Sequence, residues 1–502
     1  MAQPIAGTGL AAAFASSFRT PKRRVLIRWD GVNWVDETSR VLSLSIDHAL
    51  LGPEGLPEIS RGVPSSAEIV LDNRDGRYSV KKVGSQANTY YPNGIYRVPV
   101  HINMGYGVDV LRQFTGEVVD APGSETRGAR RVTFQCVDES YALQQMKPIT
   151  GVVVDQRVDQ FMATLLAGAQ AEDALFAAAA TSALDRGLAV VPYLWADDEN
   201  LWEQLGRLAQ SEAGLLHVSK EGEVRFWRQT AFLERAHSTT SQVTLTRGAA
   251  GELSESTSWR NAYTKVIVEG NPWVPGPVTQ VYEAQAEIVV APGETVTHHA
   301  RLRHLTQAII APAAGTDYTA VSAGGLDLSA SITVAITAYA QQAKVQFTNA
   351  HASQSVYVLG LCLRGEPLIG EGDDKQEYEA TAGVIPGEKV YTVSGNHFVQ
   401  TPVQMALAGS RLRDLLQRPR RTYAWRGPLC PWLELGDLVT VVDAEHGLNE
   451  GMLVMGLTIE SDVTRQEMLV TLMPVTNLYP YTGYFVWGTS AYADAASHRS
   501  YY

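Results

Sequence analysis

Cysteine is scarce in this chain, and the scarcity excludes a disulfide framework. Cys136, Cys362 and Cys430 are the only three in 502 residues. They lie far apart, no pair has the spacing of zinc ligands, and each reads as a small core residue. Long hydrophobic runs are missing as well. The longest small-apolar run, Ala174 to Ala180, is far too short for a membrane-crossing helix. Positive charge is in deficit: 41 Lys and Arg stand against 53 Asp and Glu, a net charge of −12. That disfavours tight binding to a phosphate backbone, which needs clustered cations. Catalytic signatures are absent too. There is no phosphate-binding Walker loop, no His-Glu-x-x-His and no Gly-x-Ser-x-Gly. Gly7-Thr8-Gly9 has no strand before it. His298 and His299 fall on opposite faces of a strand-like run, so with His304 they read as exposed histidines rather than ligands. Asp197 and Asp198 read as a helix cap. A chain of this length without a localisable site is expected to be structural or binding, not an enzyme, with no cofactor and no metal.

What is present is a long series of short strands. At 45% hydrophobic and 19% charged the composition is ordinary globular, and the length allows three or four domains. The first 29 residues carry five cations and no acid. Residues 1–21 read as an extended N-terminal arm lying on a partner. Between 22 and 148, six or seven strands with turn residues between them read as one β-barrel or sandwich. The period then changes. Val158, Phe161, Met162, Leu165 and Leu166 recur at helical spacing, as do Leu201, Trp202, Leu205 and Leu208. A hairpin follows, turning at Ser219-Lys220-Glu221-Gly222. Residues 149–250 therefore form a small α+β domain. A second β region at 251–285 continues at 418–476, with a Thr- and Val-rich β-sandwich inserted at 286–385 and a helical connection at 386–417. The fold class is mainly β with a small α+β part, multidomain. The tail at 477–502 is aromatic, and Tyr484 and Trp487 within it are candidate interface residues, because aromatics concentrate where surfaces meet.

One stretch organises the first β region. The alternating run Ser66 to Leu71 feeds directly into Asp72-Asn73-Arg74-Asp75-Gly76-Arg77-Tyr78-Ser79, the composition of a tight polar turn. A calcium loop fails on its template. In the only register that uses Asn73, Asp75 and Gly76, the first ligand position is Leu71 and the twelfth is Lys82. Arg74 and Arg77 instead bring donor forks close to Asp72 and Asp75. These four are candidate subunit-interface residues, paired within a subunit or along a ring; an ordinary surface turn is the bland alternative.

Four stretches in order, spread over roughly 22–475, resemble the baseplate-hub or tail-tip family of minor tail proteins of long-tailed bacteriophages. They are Leu71 to Ser79, Phe114-Thr115-Gly116-Glu117-Val118, the helix and hairpin from Leu201 to Trp227, and Leu435-Gly436-Asp437-Leu438-Val439-Thr440-Val441. Asn349 and Leu361 to Pro367 add to the match. Where relatives have proline after the position of Ser79, this chain has Val80. The resemblance implies a homotrimeric virion protein at the distal end of the tail. Each subunit would carry two tail-tube-like β-barrels, at 22–148 and at 251–285 with 418–476, making a pseudo-sixfold ring. It further implies contact with the distal tail protein or tail tube, the tape measure protein and tip or fibre proteins, and DNA that passes through the lumen without specific binding. A hexameric distal tail protein and a tail-borne enzyme that cuts cell wall or polysaccharide are the alternatives.

Overall fold

A computed structural model describes residues 9–16, 18–50, 62–126, 129–173, 184–247, 251–260, 262–372, 374–380, 387–462 and 465–478. The fold is mainly β and multidomain, as expected, and three apolar clusters divide it. The largest core runs through both β regions. Eight strands form its main wall. Four come from the first region: β1 (Val41–Ala49), β2 (Val63–Asp72), β3 (Gly123–Thr126) and β4 (Ala129–Val137). Four come from the late region: β5 (Glu252–Ser258), β6 (Arg420–Pro428), β7 (Leu448–Ser461) and β8 (Gln466–Pro474).

Their order across the sheet is β5-β6-β8-β7-β1-β2-β4-β3, every neighbouring pair antiparallel. Each quartet thus runs first, second, fourth, third, and the two quartets follow one another head to tail. The two β regions expected as separate barrels share one sheet, joined where Leu44–Ala49 pairs with Gly456–Ser461. Among the described residues neither region closes on itself through strand pairing. Each region also has a hairpin that extends the same sheet, Asp109–Asp120 joining β4 beside β3. Val98–Tyr106 pairs with Asp109–Asp120, and Leu438–Asp443 pairs with the first half of β7. Both hairpins turn on a glycine at positive φ, Gly107 at 60° and Gly447 at 64°. Both have a further glycine nine residues on, Gly116 and Gly456. A Cβ on Gly116 would lie 2.2 Å from the Val137 carbonyl oxygen, so only glycine fits there.

The described part of the N-terminal arm includes a helix and packs on its own chain. Helix α1 (Leu10–Ala15) buries Leu10 in the main core, and the ring of Phe14 meets Trp432 edge-on at 5.6 Å. Lys265–Gly270, expected among the late strands, pairs instead with Asp374–Glu379 and Val390–Val393. Its inward Val266 and Val268 reach the same core as Met405 and Leu412 of the helix at Pro402–Leu416. The inserted sandwich begins before residue 286, because Thr279–Glu283 already pairs with Cys362–Gly370 and Val281 belongs to its core.

Helices α2 (Val158–Glu172) and α3 (Leu201–Ser211) pack with the hairpin Leu215–Val218 and Val224–Trp227 around a separate core. Between that core and the main one lies a seam of buried polar groups: His48, Gln113, His217, Lys220, Arg225, Glu434 and Asp437. Lys220, read from sequence as a turn residue, is 5% exposed and donates from Nζ to Gln113 Oε1 at 2.7 Å. Gln113 in turn donates to the Pro431 carbonyl, and its own carbonyl bonds His48 Nε2 at 2.8 Å. Arg225 meets Glu434 at 3.0 Å. Burial holds His48 and His217 neutral, at about 3, and pushes the Asp437 carboxyl up to about 7.

The sign of the Asp437 effect follows from linkage. Its carboxyl holds a proton more tightly in the folded chain than in the unfolded one, where its value is about 4. Its contribution to stability is therefore lost as pH rises from about 4 to about 7. Asp437→Asn keeps an acceptor for the Glu434 amide, now 2.9 Å from Oδ2. We expect the variant to gain on the native chain in chemical denaturation as pH climbs through that window. Parallel stability curves for the two proteins would refute this.

Candidate functional site

The main wall has two faces of opposite character, set by strand alternation. On one face Ile46 stands opposite Ile459 and Ala67, Ile459 opposite Met468, and Ala67 opposite Cys136, all buried. On the other face Ser45 stands opposite Glu68 and Glu460, Glu460 opposite Glu467, and Glu68 opposite Gln135. The next row on that face holds Arg426, Leu469, Thr458, Asp47 and Ser66. This open face crosses the junction between the two quartets. A shallow basin of about 290 Å³ sits on the junction, with Ser43, Ser45, Glu68, Arg426, Glu460 and Glu467 in its lining.

The face carries a negative field. Asp47 and Glu68 are exposed and make no ion pair among the described residues. Arg426 bridges Glu460 at 3.0 Å and Glu467 at 3.1 Å, and Arg465 also pairs with Glu467. Asp462 follows at the end of β7 on the basin's rim. Carboxylates thus outnumber guanidiniums, and short hydroxyl side chains fill the spaces between them. Such a surface repels polyanions and offers them no phosphate contacts.

The turn after β2 closes on its own chain. Arg74 pairs with Asp72 at 2.6 Å, and Arg40 holds Asp75 with two bonds of 2.7 and 3.0 Å. Hydrogen bonds from these guanidiniums hold both aspartates below the usual carboxylate range. Arg77 reaches inward instead, to Glu37 at 2.6 Å. Glu37 is 2% exposed and also accepts from the Tyr78 hydroxyl at 2.9 Å and from Trp29 Nε1 at 3.1 Å. Burial and Glu37 push the Tyr78 phenol well above its usual value. Glu37 is the centre of this network and had no sequence signal, because its partners, Trp29 and Arg77-Tyr78, lie in two other segments. Gly76, at φ 72°, turns the chain between them. Tyr484 and Trp487 lie outside the described residues.

Among the described residues one trio has the arrangement of metal ligands: Asp443, Glu445 and His446. Arg247 already fills it, 3.0 Å from both Glu445 and His446 Nδ1. His298 bonds the Tyr282 hydroxyl at 2.6 Å, while His299 and His304 are exposed.

No protein-family model and no curated protein matches the chain. Solved structures do. A tail protein from Neisseria meningitidis MC58 superposes with a TM-score of 0.50 at 12% identity, over 91% of this chain and 98% of that one. The chain has the fold of a tail protein. The 43 kDa tail protein of prophage MuSo2 from Shewanella oneidensis is similar at a TM-score of 0.49 and 13% identity, covering 90% of this chain and 98% of that one. A prophage tail protein from Listeria monocytogenes EGD-e follows at 0.41 and 10%, covering 90% and 94%. The resemblance read from four short motifs is thus met at the level of fold.

The turn makes a differential prediction. Arg77→Ala leaves Glu37 buried with one cation fewer and should cost about 2–3 kcal/mol. Arg74→Ala, on an exposed pair, should cost far less. Urea denaturation of the two variants measures the difference, and equal losses would contradict the assignment.

Proposed function

We propose that the chain is a structural, non-enzymatic component of a phage-type tail tip, and that three copies form a ring at the distal end of the tail tube. The observation that carries this reading is the head-to-tail repeat of the two quartets. Within the chain, the third strand of the late quartet, β7, pairs with the first strand of the early one, β1. Among the described residues the same two kinds of edge lack a second partner strand: β3, a third strand, and β5, a first strand. Pairing β3 of one copy with β5 of the next repeats the internal junction between subunits, and a heterologous contact of this kind generates a closed ring when the rotation permits. Two quasi-equivalent quartets per chain give six around three copies, which matches a sixfold tube. The open acidic face then lines the lumen, where it lets DNA slide during ejection. The distal tail protein or tail tube, the tape measure protein and tip or fibre proteins are the partners of such a ring, and the inserted sandwich is free of the wall to carry one of them.

Imaging of assembled particles should place the protein below the tube with threefold symmetry; six copies, or a position along the shaft, would overturn the reading. Asp47→Lys with Glu68→Lys tests the lumen. Particles carrying both should assemble normally yet release DNA more slowly, with added salt restoring the rate as phosphate contacts are screened. An unchanged ejection rate, followed by dye binding to released DNA, would remove this face from the channel.

A further inference from the structure

At the end of the helix α4 (Pro402–Leu416) a buried cation lacks an anion. Arg420, the first residue of β6, is 4% exposed. Its Nη2 donates to the Leu415 carbonyl at 3.2 Å, a C-terminal cap on the helix. Its Nε and Nη1 are buried and have no acceptor among the described residues. Three other deeply placed guanidiniums face carboxylates: Arg97 meets Glu117 and Asp173, Arg225 meets Glu223 and Glu434, and Arg235 meets Asp185. Around Arg420 the charged neighbour is Arg411, another cation, and the remaining groups acting on it are the phenols of Tyr391 and Tyr263. Burial and Arg411 together bring its guanidinium down to about 10.

A helix terminus offers only a partial negative charge, which does not neutralise a full one out of water. An uncompensated buried charge is costly, so the arrangement calls for an acceptor from elsewhere. The surroundings suit an anion. The rings of Tyr263 and Tyr391 meet edge-on at 5.3 Å, and Lys389 Nζ lies 4.5 Å over the Tyr263 ring. Arg411 is half-buried beside Arg420, and Lys389, also half-buried, reaches the same corner over the Tyr263 ring, its Nζ donating to the Arg260 carbonyl.

We propose that this corner, between α4, β6 and the strand at Val390–Val393, is an oxyanion-binding site in which Arg420 is the principal donor and Lys389 and Arg411 form the rim. The ligand is a carboxylate or a phosphate group that the described residues do not supply. A guanidinium presents planar donors suited to either, and the two cations at the rim raise the local concentration of anions.

Thermal unfolding of the purified full chain tests this, in sodium phosphate, sodium acetate and sodium chloride at equal ionic strength. Phosphate or acetate is expected to raise Tm by about 2–4 °C over chloride, saturably, as ligand linkage requires. A response to phosphate alone assigns the site to phosphate groups, a response to acetate alone assigns it to carboxylates, and equal responses make it a site for either. Arg420→Met should be at least as stable as the native chain in chloride, since it removes an unpaired buried charge, and should not respond to either anion. If Arg420→Met does not fold, Lys389→Gln serves in its place and is expected to raise the half-saturating anion concentration at least about threefold. Native Tm values that do not distinguish the three salts, or a variant response equal to the native one, would overturn the proposal.

Discussion

The antiparallel pairing of Leu44–Ala49 with Gly456–Ser461 is the constraint on which the architecture depends. It joins segments more than four hundred residues apart and makes one wall from two β regions. Its register is fixed by side-chain chemistry. As paired, Leu44, Ile46, Leu457 and Ile459 face the core, while Ser45, Asp47, Thr458 and Glu460 face outward. A slip of one residue would drive Asp47 and Glu460 into the core and expose the isoleucines. Each of those apolar side chains contributes about 1.5–3 kcal/mol by leaving water. The same alternation therefore secures the core and creates the polar face.

Much of this was legible in the sequence, and the failures have physical causes. Alternation in Val41 to Ile46 and in Ser66 to Leu71 located strands, because period-2 patterning is local. The Lys265–Gly270 strand was equally legible as a strand, but not its partners, since Val266 and Val268 fit any apolar neighbour. A repeat signal was present and overlooked: Gly107 with Gly116, and Gly447 with Gly456, both nine apart, marking the same hairpin twice. Lys220 looked like a turn residue because its burial is imposed by Gln113 and Glu434, more than a hundred residues away on either side. Glu37 was invisible for the same reason. The open face could be read one strand at a time, as polar positions, but its continuity across the junction required knowing that β1 meets β7.

The seam beside the α+β unit and the open face use charge in opposite ways. In the seam, the cations are dry and each meets a partner: Arg225 by Glu434, Lys220 by Gln113. Such contacts contribute little net stability but penalise misdocking heavily, because any shift strands a buried charge. They specify where the unit sits rather than how strongly. On the open face, Asp47 and Glu68 stay in water, where they cost nothing to fold and their field extends outward.

These two uses make sense of a net charge of −12 in a mainly β protein. Exposed strand edges invite indiscriminate pairing, and β3 and β5, each without a second partner strand among the described residues, are such edges. Acidic strands repel copies of the same chain at distance, while edge hydrogen bonds act only on contact. β5 itself carries Glu252 and Glu255, both exposed. Opposite it within the chain, Glu252 faces Arg426 and Thr257 faces Arg421. A like-charged approach is thus disfavoured unless the register brings a cation against each acid. In the proposed ring, the neighbouring copy would offer β3, with Arg130 and Arg131 on the strand beside it. Charge along the strands then selects which edges pair, and the hydrogen-bond ladder holds the pair that charge has selected.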